Sequence, residues 1–302
     1  MKAAVSVSPR EVELREVDEP SGLVVRVLAC GVCGSDVNEG WVARKVPAVL
    51  GHEVVGEVEG ERVVLHHHAP CGACDRCARG HETLCERFRA TALDPGGFAE
   101  RVGVPDALRA EVLPIGGLAV ERAVFTEPLA CVLRAFARAR LRDRDRLLVV
   151  GCGSSGLLAV AAAAVRGVRV SVLEPREDRR ALARAWGAVD HAGEADVALV
   201  CTSKPAAIEA GFRALAPGGT LVLYGVPEPG DELRLDALDH YVRELTVVPS
   251  YSAGPGDMHA ALDLLGEVDP SPLVTHRFGL HEVARALEVQ RTGEGVKALV
   301  VP

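Results

Sequence analysis

Two sets of soft metal ligands and one glycine-rich loop hold most of the chemistry in this sequence. Four cysteines, Cys71, Cys74, Cys77 and Cys85, stand at C-x2-C-x2-C-x7-C in the run HAPCGACDRCARGHETLC. Zinc takes four donors in a tetrahedron, and thiolates suit it well. Two-residue gaps let the backbone wrap one ion, and Gly72 and Gly80 give the loop its freedom. With four sulfurs bound, no position is left for a substrate, so this is read as a structural zinc site rather than a disulfide pair.

A second set precedes it. Cys33 lies in Cys30-Gly-Val-Cys-Gly-Ser-Asp36, and His52 and Glu53 lie in Gly51-His-Glu53, with His52 nineteen residues after Cys33. One thiolate, one imidazole and one carboxylate make a catalytic zinc set whose last position stays open to water or substrate. Alone, each of these is an ordinary core residue; the four-cysteine run downstream gives them weight. The run His66-His-His68 looks like a metal clamp, but neighbouring side chains on a strand point to opposite faces. It is read as structural.

The third feature is Leu147-Leu-Val-Val-Gly-Cys-Gly-Ser-Ser-Gly156, followed by an alanine-rich stretch. A strand, then Gly151, Gly153 and Gly156, then a helix opening at Ser154 and Ser155 is a dinucleotide-binding arrangement. Gly151 makes the tight turn, Gly153 lets the backbone approach a pyrophosphate, and Gly156 lets the helix pack on the strand. The helix N-terminus faces the phosphates. The next strand ends at Glu174, eighteen residues past Gly156. An acid there accepts hydrogen bonds from ribose hydroxyls and repels a 2′-phosphate, which favours NAD over NADP. Arg176 is the feature that speaks for NADP.

These motifs need elements to hold them. The chain has 302 residues, 48% of them hydrophobic, enough for about two domains. Up to about residue 122 it is punctuated by Gly and Pro and holds short β-like runs, Leu23–Leu28 and Arg62–Leu65 among them, with no long amphipathic helix. From there strands and helices alternate. An apolar helix opens at Phe125-Thr-Glu-Pro-Leu129 and runs to Ala139. Asp196–Val200 is a strand, Pro205–Leu215 a helix, Pro217-Gly-Gly219 a turn and Thr220–Tyr224 a strand. That rhythm implies a parallel, doubly wound sheet. Glu244–Val248, stopped by Pro249, reads as an edge strand. The net charge of −8 argues against a nucleic-acid or anionic-membrane partner. Of nine cysteines, Cys30, Cys131, Cys152 and Cys201 fall in apolar runs and read as small buried hydrophobes. No signal peptide or bilayer-spanning run is visible, so a cytoplasmic protein is expected.

The order Cys-Gly-Val-Cys-Gly-Ser-Asp, Gly-His-Glu, four-cysteine lobe and Gly-x-Gly-x-x-Gly resembles the zinc-dependent medium-chain alcohol dehydrogenases, within them the sorbitol (polyol) and threonine dehydrogenase branch. The resemblance runs over the whole chain. It implies a β-rich, GroES-like catalytic domain at residues 1–122 and 250–302 and a Rossmann domain at 123–249. It implies two zinc ions per chain, one catalytic and one structural, with NAD as hydride acceptor. Cys33 and His52 would bind the catalytic zinc, with Glu127 as third protein ligand and Glu53 its rival. Ser35 would hydrogen-bond the substrate oxygen and start a proton relay. Arg179 matches a position supporting the adenine ribose, and Lys297 one contacting the pyrophosphate. The reaction implied is oxidation of a secondary alcohol or polyol to the ketone. A threonine 3-dehydrogenase-like or sugar dehydrogenase is the runner-up, and an inactive NAD-binding sensor the alternative outside enzymes. A homodimer or homotetramer is implied. Two departures stand out. Asn38 replaces a relay histidine and cannot act as a base near neutral pH. Only Val-Glu-Gly-Glu joins Glu57 to Arg62, where relatives carry a longer hairpin, and the loop at 40–47 is also short.

Overall fold

The computed structural model describes residues 1–302. Strands β1 (Lys2–Ser8) and β2 (Glu11–Glu16) form a hairpin, and β3 (Leu23–Gly31) follows. A 3-10 turn at Gly34–Val37 leads into α1 (Glu39–Val42), then β4 (Ala48–Val49). Next come β5 (Glu53–Val58) and β6 (Glu61–Leu65). The shortened hairpin closes on a two-residue loop, with Glu59 and Gly60 at φ of 53° and 82°. Two positive φ values match the right-handed twist of the flanking strands, so nothing longer is needed there. The cysteine lobe carries α2 (Asp75–Ala78) and α3 (Glu86–Ala90). β7 (Arg101–Val104), β8 (Val112–Pro114) and α4 (Val120–Ala123) complete this part. α5 (Thr126–Ala139) then carries the chain onward, with Glu127 in its first turn and Arg138 in its last, as the helix dipole favours.

The following segment alternates strand and helix: β9 (Arg146–Val150), α6 (Ser154–Val165), β10 (Arg169–Leu173), α7 (Glu177–Ala185), β11 (Val189–Asp190), β12 (Ala195–Val200), α8 (Pro205–Arg213), β13 (Leu215–Leu223), α9 (Ala237–Val242) and β14 (Thr246–Pro249). After it come α10 (Pro255–Leu264), β15 (Val274–Phe278), α11 (Val283–Thr292) and β16 (Lys297–Val300).

Two compact units result. One comprises Met1–Ala130 and Ala253–Pro302, the other Cys131–Ser252. In the first, a seven-stranded sheet runs β15-β16-β3-β5-β6-β8, with β7 also pairing β3. Its core packs Val25, Val54, Phe98, Val102, Leu108 and Ala286. Phe98 is fully buried, contributing on the order of 1.5–3 kcal/mol by leaving water. The second unit is the expected doubly wound fold: six parallel strands in the order β11-β10-β9-β12-β13-β14. Its central strands β9 and β12 are near-continuous buried apolar runs, as strands covered on both faces are. α6 is buried from Gly156 to Ala163, which explains its all-round apolar sequence.

Two local expectations change. Pro217-Gly-Gly219 is not a free turn: β13 runs through it, and the register with β12 slips between Ala195 and Val197 to absorb it. Cys30 and Cys152 are buried as expected, but Cys131 and Cys201 are only half-buried.

Candidate metal and cofactor sites

The cysteine lobe brings Cys71, Cys74, Cys77 and Cys85 together, with all four sulfurs within 4.8 Å of one another. Zinc–sulfur bonds of about 2.3 Å in a tetrahedron put sulfurs about 3.8 Å apart. Cys74 and Cys77 Sγ are 3.6 Å apart, and Cys71 and Cys77 Sγ 4.0 Å. Backbone N–H groups aim at these sulfurs. Cys71 N donates to Cys85 Sγ at 3.4 Å, and Cys74 N to Cys71 Sγ at 3.3 Å. The donors of Cys71 and Phe88 draw the Cys85 thiol down to about 6, and those of Ala73 and Cys74 lower Cys71. Desolvation pushes Cys77 up to about 12. A lobe that stabilises thiolates within tetrahedral reach fits a structural zinc.

The second set forms around β3 and β5. Cys33 follows the end of β3 and precedes the 3-10 turn; His52 and Glu53 lead into β5, the antiparallel neighbour of β3. One donor atom from each of Cys33, His52 and Glu53 lies within 4.8 Å of the others. Asp36 completes the arrangement. Its carboxylate accepts from Cys33 N at 2.9 Å and lies 3.5 Å from His52 Nδ1. That fixes the imidazole and directs its other nitrogen away from the carboxylate. Burial pushes the Asp36 carboxyl up, but His52 and the Cys33 N–H overcome it and hold it below the ordinary range. Burial pulls His52 down, yet Asp36 and Cys33 raise it well above an ordinary histidine. The pocket thus favours positive charge beside a thiolate, an imidazole and a carboxylate, which fits a metal cation.

Glu127 stands outside this three-donor set. It is buried in the first turn of α5, acts electrostatically on Glu53 and Lys297, and lines one small recess with Glu53 and Met258. Of the two carboxylates weighed for this set, Glu53 is the one whose donor atom converges with those of Cys33 and His52. Ser35 sits half-buried within the 3-10 turn. The Asn38 side-chain oxygen accepts from Trp41 N at 2.8 Å and caps α1.

Lys297, expected at the pyrophosphate, lies against the metal set. It is 1% exposed, its Nζ donates to Val32 O at 3.2 Å, and it makes a short ion pair with the Glu53 carboxylate. β16 lies beside β3, which brings Lys297 against Glu53. Gly31 makes room for the pair, since a Cβ there would lie 1.9 Å from Glu53 Oε2 and 2.9 Å from Lys297 Cε. Asp36, Gly31 and the Glu53–Lys297 pair are site features the motifs did not reveal. Asp36 had a signal, an acid three residues after Cys33 at a helical turn. Lys297 lies 244 residues from Glu53 and had none.

The histidine run divides its work. His66 Nδ1 meets Glu111 at 3.0 Å, and His68 Nδ1 meets the Thr91 carbonyl at 2.7 Å. His67 turns to the metal side, its ring 4.8 Å from that of His52.

In the second unit, Gly156 is sterically required: a Cβ would lie 2.0 Å from Gly151 O. A Cβ at Gly153 would meet nothing within 4 Å. α6 begins at Ser154 with no side-chain cap and no acid in its first turn, and Ser154 Oγ is buried without a hydrogen-bond partner. An open backbone approach, an uncapped helix start and an unsatisfied hydroxyl fit a pyrophosphate. Ser155 occupies the same first turn. Glu174 ends this strand–turn unit, accepting from Cys152 N at 2.7 Å and from Arg176 N at 3.0 Å. Arg176 itself pairs with Asp178. Arg179, on α7, is close enough to act on the Cys152 thiol, which burial pushes up to about 12.

Comparison with known proteins places these features. Residues 19–115 match the alcohol dehydrogenase GroES-like domain, and residues 156–267 match the zinc-binding dehydrogenase domain. The chain is 27% identical to D-arabinitol dehydrogenase 1 of Uromyces fabae, over 100% of this chain and 97% of that one. It is 29% identical to the erythritol/L-threitol dehydrogenase of Mycolicibacterium smegmatis, over 100% and 98%. A zinc-binding dehydrogenase from Sinorhizobium meliloti, solved bound to NADP, superposes with a TM-score of 0.88 at 28% identity, covering 100% of this chain and 99% of that one.

Proposed function

Because the chain belongs to the zinc-dependent medium-chain alcohol dehydrogenase family, we propose that it oxidises a secondary alcohol or polyol to the ketone with NAD+ as hydride acceptor. The observation that carries this reading is the convergence of Cys33, His52 and Glu53 donor atoms within 4.8 Å. The polyol dehydrogenases similar over the full chain support the substrate class.

In this reading Cys33, His52 and Glu53 hold the catalytic zinc, and Cys71, Cys74, Cys77 and Cys85 hold a second, structural ion. Zinc supplies Lewis acidity that lowers the pKa of a bound hydroxyl, and NAD+ accepts the hydride. The protein's own groups position the rest. Asp36 keeps the His52 ring oriented. Lys297 restrains Glu53 by one carboxylate oxygen and offsets the negative charge that Cys33, Glu53 and Glu127 bring to the site. Ser35 Oγ takes the hydrogen bond of the substrate hydroxyl, and its proton leaves by way of Glu53 or water. Gly153, Ser154 and Ser155 seat the pyrophosphate, while Glu174 and Arg179 meet the adenine ribose. The Glu174 carboxylate repels a 2′-phosphate, which favours NAD.

We also infer a homodimer or homotetramer in the cytoplasm. β14 is a sheet edge, and Leu238, Tyr241 and Val242 of α9 are 70%, 82% and 62% exposed, an apolar face of the kind that copies of a chain cover. No helix is long and apolar enough to cross a membrane.

The test is NADH formation by absorbance over polyols, threonine, sugars and simple secondary alcohols, with zinc measured per chain. Turnover with about two zinc ions is expected, falling to one ion and no turnover in a folded Cys33→Ala variant. Full activity in that variant sinks the assignment.

A further inference from the structure

The turn between β10 and α7 holds opposed charges directly beside the glycine-rich loop. Glu174 is buried there, and each of its carboxylate oxygens accepts a backbone hydrogen bond. Oε2 takes Cys152 N of the loop at 2.7 Å, and Oε1 takes Arg176 N at 3.0 Å. The two bonds strap the loop to the turn and fix the Arg176 backbone next to it. Arg180 pins the same turn, its Nη1 donating to Glu174 O at 2.6 Å and to Pro175 O at 3.1 Å. Arg176 is the last residue before α7, so its side chain starts from this fixed point.

An arginine near this acid is the group that accommodates a 2′-phosphate in the cofactors that carry one. Here its guanidinium is turned to Asp178, two residues on. Nε lies 3.1 Å from Oδ1 and Nη2 2.7 Å from Oδ2, a two-point pairing of guanidinium and carboxylate. The pairing holds the Asp178 carboxyl below its ordinary range, so the acid keeps its charge at neutral pH. The neighbouring Arg180 is engaged as well, by Glu177 and by the two carbonyls it pins. Asp178 and Arg176 are both open to solvent, so their pair adds little to stability. Its consequence is for which anion the guanidinium can take. Glu174 presents the same charge whatever Arg176 does, whereas a 2′-phosphate finds a partner only where Arg176 is released.

We propose that Asp178 sets the cofactor preference of this chain: by pairing with the Arg176 guanidinium it withholds that group from a 2′-phosphate, and the nucleotide site selects NAD over NADP. The inference rests on the dehydrogenase reading above and names the residue that enforces its cofactor choice. Asp178 touches no reacting atom; it is a positioning residue that acts through Arg176.

The experiment measures the affinities of NADH and NADPH for the zinc-loaded protein by calorimetry, with no alcohol present, at low and high salt. The wild type is expected to bind NADH more tightly than NADPH. Asp178→Ala should move the ratio of the two affinities toward NADPH by about tenfold or more, the scale of one charged hydrogen bond gained. High salt should weaken that gain. Arg176→Gln added to Asp178→Ala should return the ratio to its wild-type value, because the gain belongs to the released guanidinium and not to the lost carboxylate alone. Wild-type preference for NADPH, an unchanged ratio in Asp178→Ala, or a gain that survives Arg176→Gln overturns the proposal. The ratio of kcat/KM for NADP+ and NAD+ should follow the same order in the three proteins wherever an alcohol is turned over. If the nucleotides bind and no alcohol is oxidised, the dehydrogenase reading fails while the affinity ratio still decides the role of Asp178. If neither nucleotide binds, both readings fall.

Discussion

Replacing Lys297 by methionine probes the buried centre of the first unit. Both charged groups of the Glu53–Lys297 pair are 1% exposed, so water cannot substitute for a lost partner. Burial alone pushes the Glu53 carboxyl up, and Lys297 is the largest influence opposing it. Removing one member of such a pair costs about 3–5 kcal/mol, because the other charge is left uncompensated. Glu53→Gln should cost a similar amount, since it leaves Nζ with only the Val32 carbonyl. The double variant Glu53→Gln/Lys297→Met removes both charges together. Its loss should fall short of the sum of the singles by at least about 2 kcal/mol. Urea unfolding of the holoprotein, followed by Trp41 emission in the Trp186→Phe background, reads the first unit, and an unchanged denaturant slope licenses the comparison. A loss under about 1 kcal/mol for Lys297→Met, or strict additivity in the double variant, refutes the account of an obligatory buried pair.

The glycine loop and the acid limb of stability offer two further tests. Gly156→Ala should fail to fold or lose most of its thermal stability, because its Cβ meets Gly151 O at 2.0 Å; Gly153→Ala, with nothing within 4 Å, should melt like the parent yet bind NAD+ roughly tenfold more weakly by calorimetry. Asp196 is held below the ordinary aspartate range by its hydrogen bonds to Arg146, which join β12 to β9. Its folded pKa is depressed, so its contribution is present above the unfolded value of about 3.9 and is lost as pH falls through the folded value. Asp196→Asn should therefore flatten the acid limb below about pH 4, by less than about 1 kcal/mol because the pair is partly exposed. A melting curve across pH 2–7 that is unchanged in the variant would contradict this (an assay range of about that width suffices).

Features written in short stretches of sequence were readable from it. The four-cysteine lobe spans fifteen residues, Cys71–Cys85, and the turn between β9 and α6 depends on local glycines, so spacing alone carried both. The alternation of strand and helix from residue 146 onward implied the parallel sheet, because such a rhythm lays successive strands side by side in one direction. What spacing does not carry is pairing across the chain. Cys33, His52 and Glu53 were each legible as candidate donors, but their convergence depends on β3 lying beside β5. Lys297 was placed at the pyrophosphate by the family resemblance, with a solvated lysine as the plain alternative; the pairing of β16 with β3 sets it against Glu53. Asn38 read only as a departure from a relay histidine; that its side-chain oxygen also caps a four-residue helix was not legible in the motif.

The separation between Glu53 and Lys297 also fixes an order of events during synthesis. The cysteine lobe can close soon after residue 85 emerges, because all its ligands are near neighbours. The carboxylate at Glu53 must wait for a counter-charge 244 residues later. At ribosomal rates of about 5–20 residues per second, that interval is roughly 12–50 s. During it β3 lacks β16 along one edge, and the nascent first unit holds a carboxylate with no ammonium to meet it. A chain stalled or clipped before β16 therefore carries its structural ion site and its nucleotide loop but an unfinished chemical centre. Such fragments should be recognisable to proteolysis by an exposed strand edge, while the completed chain is not.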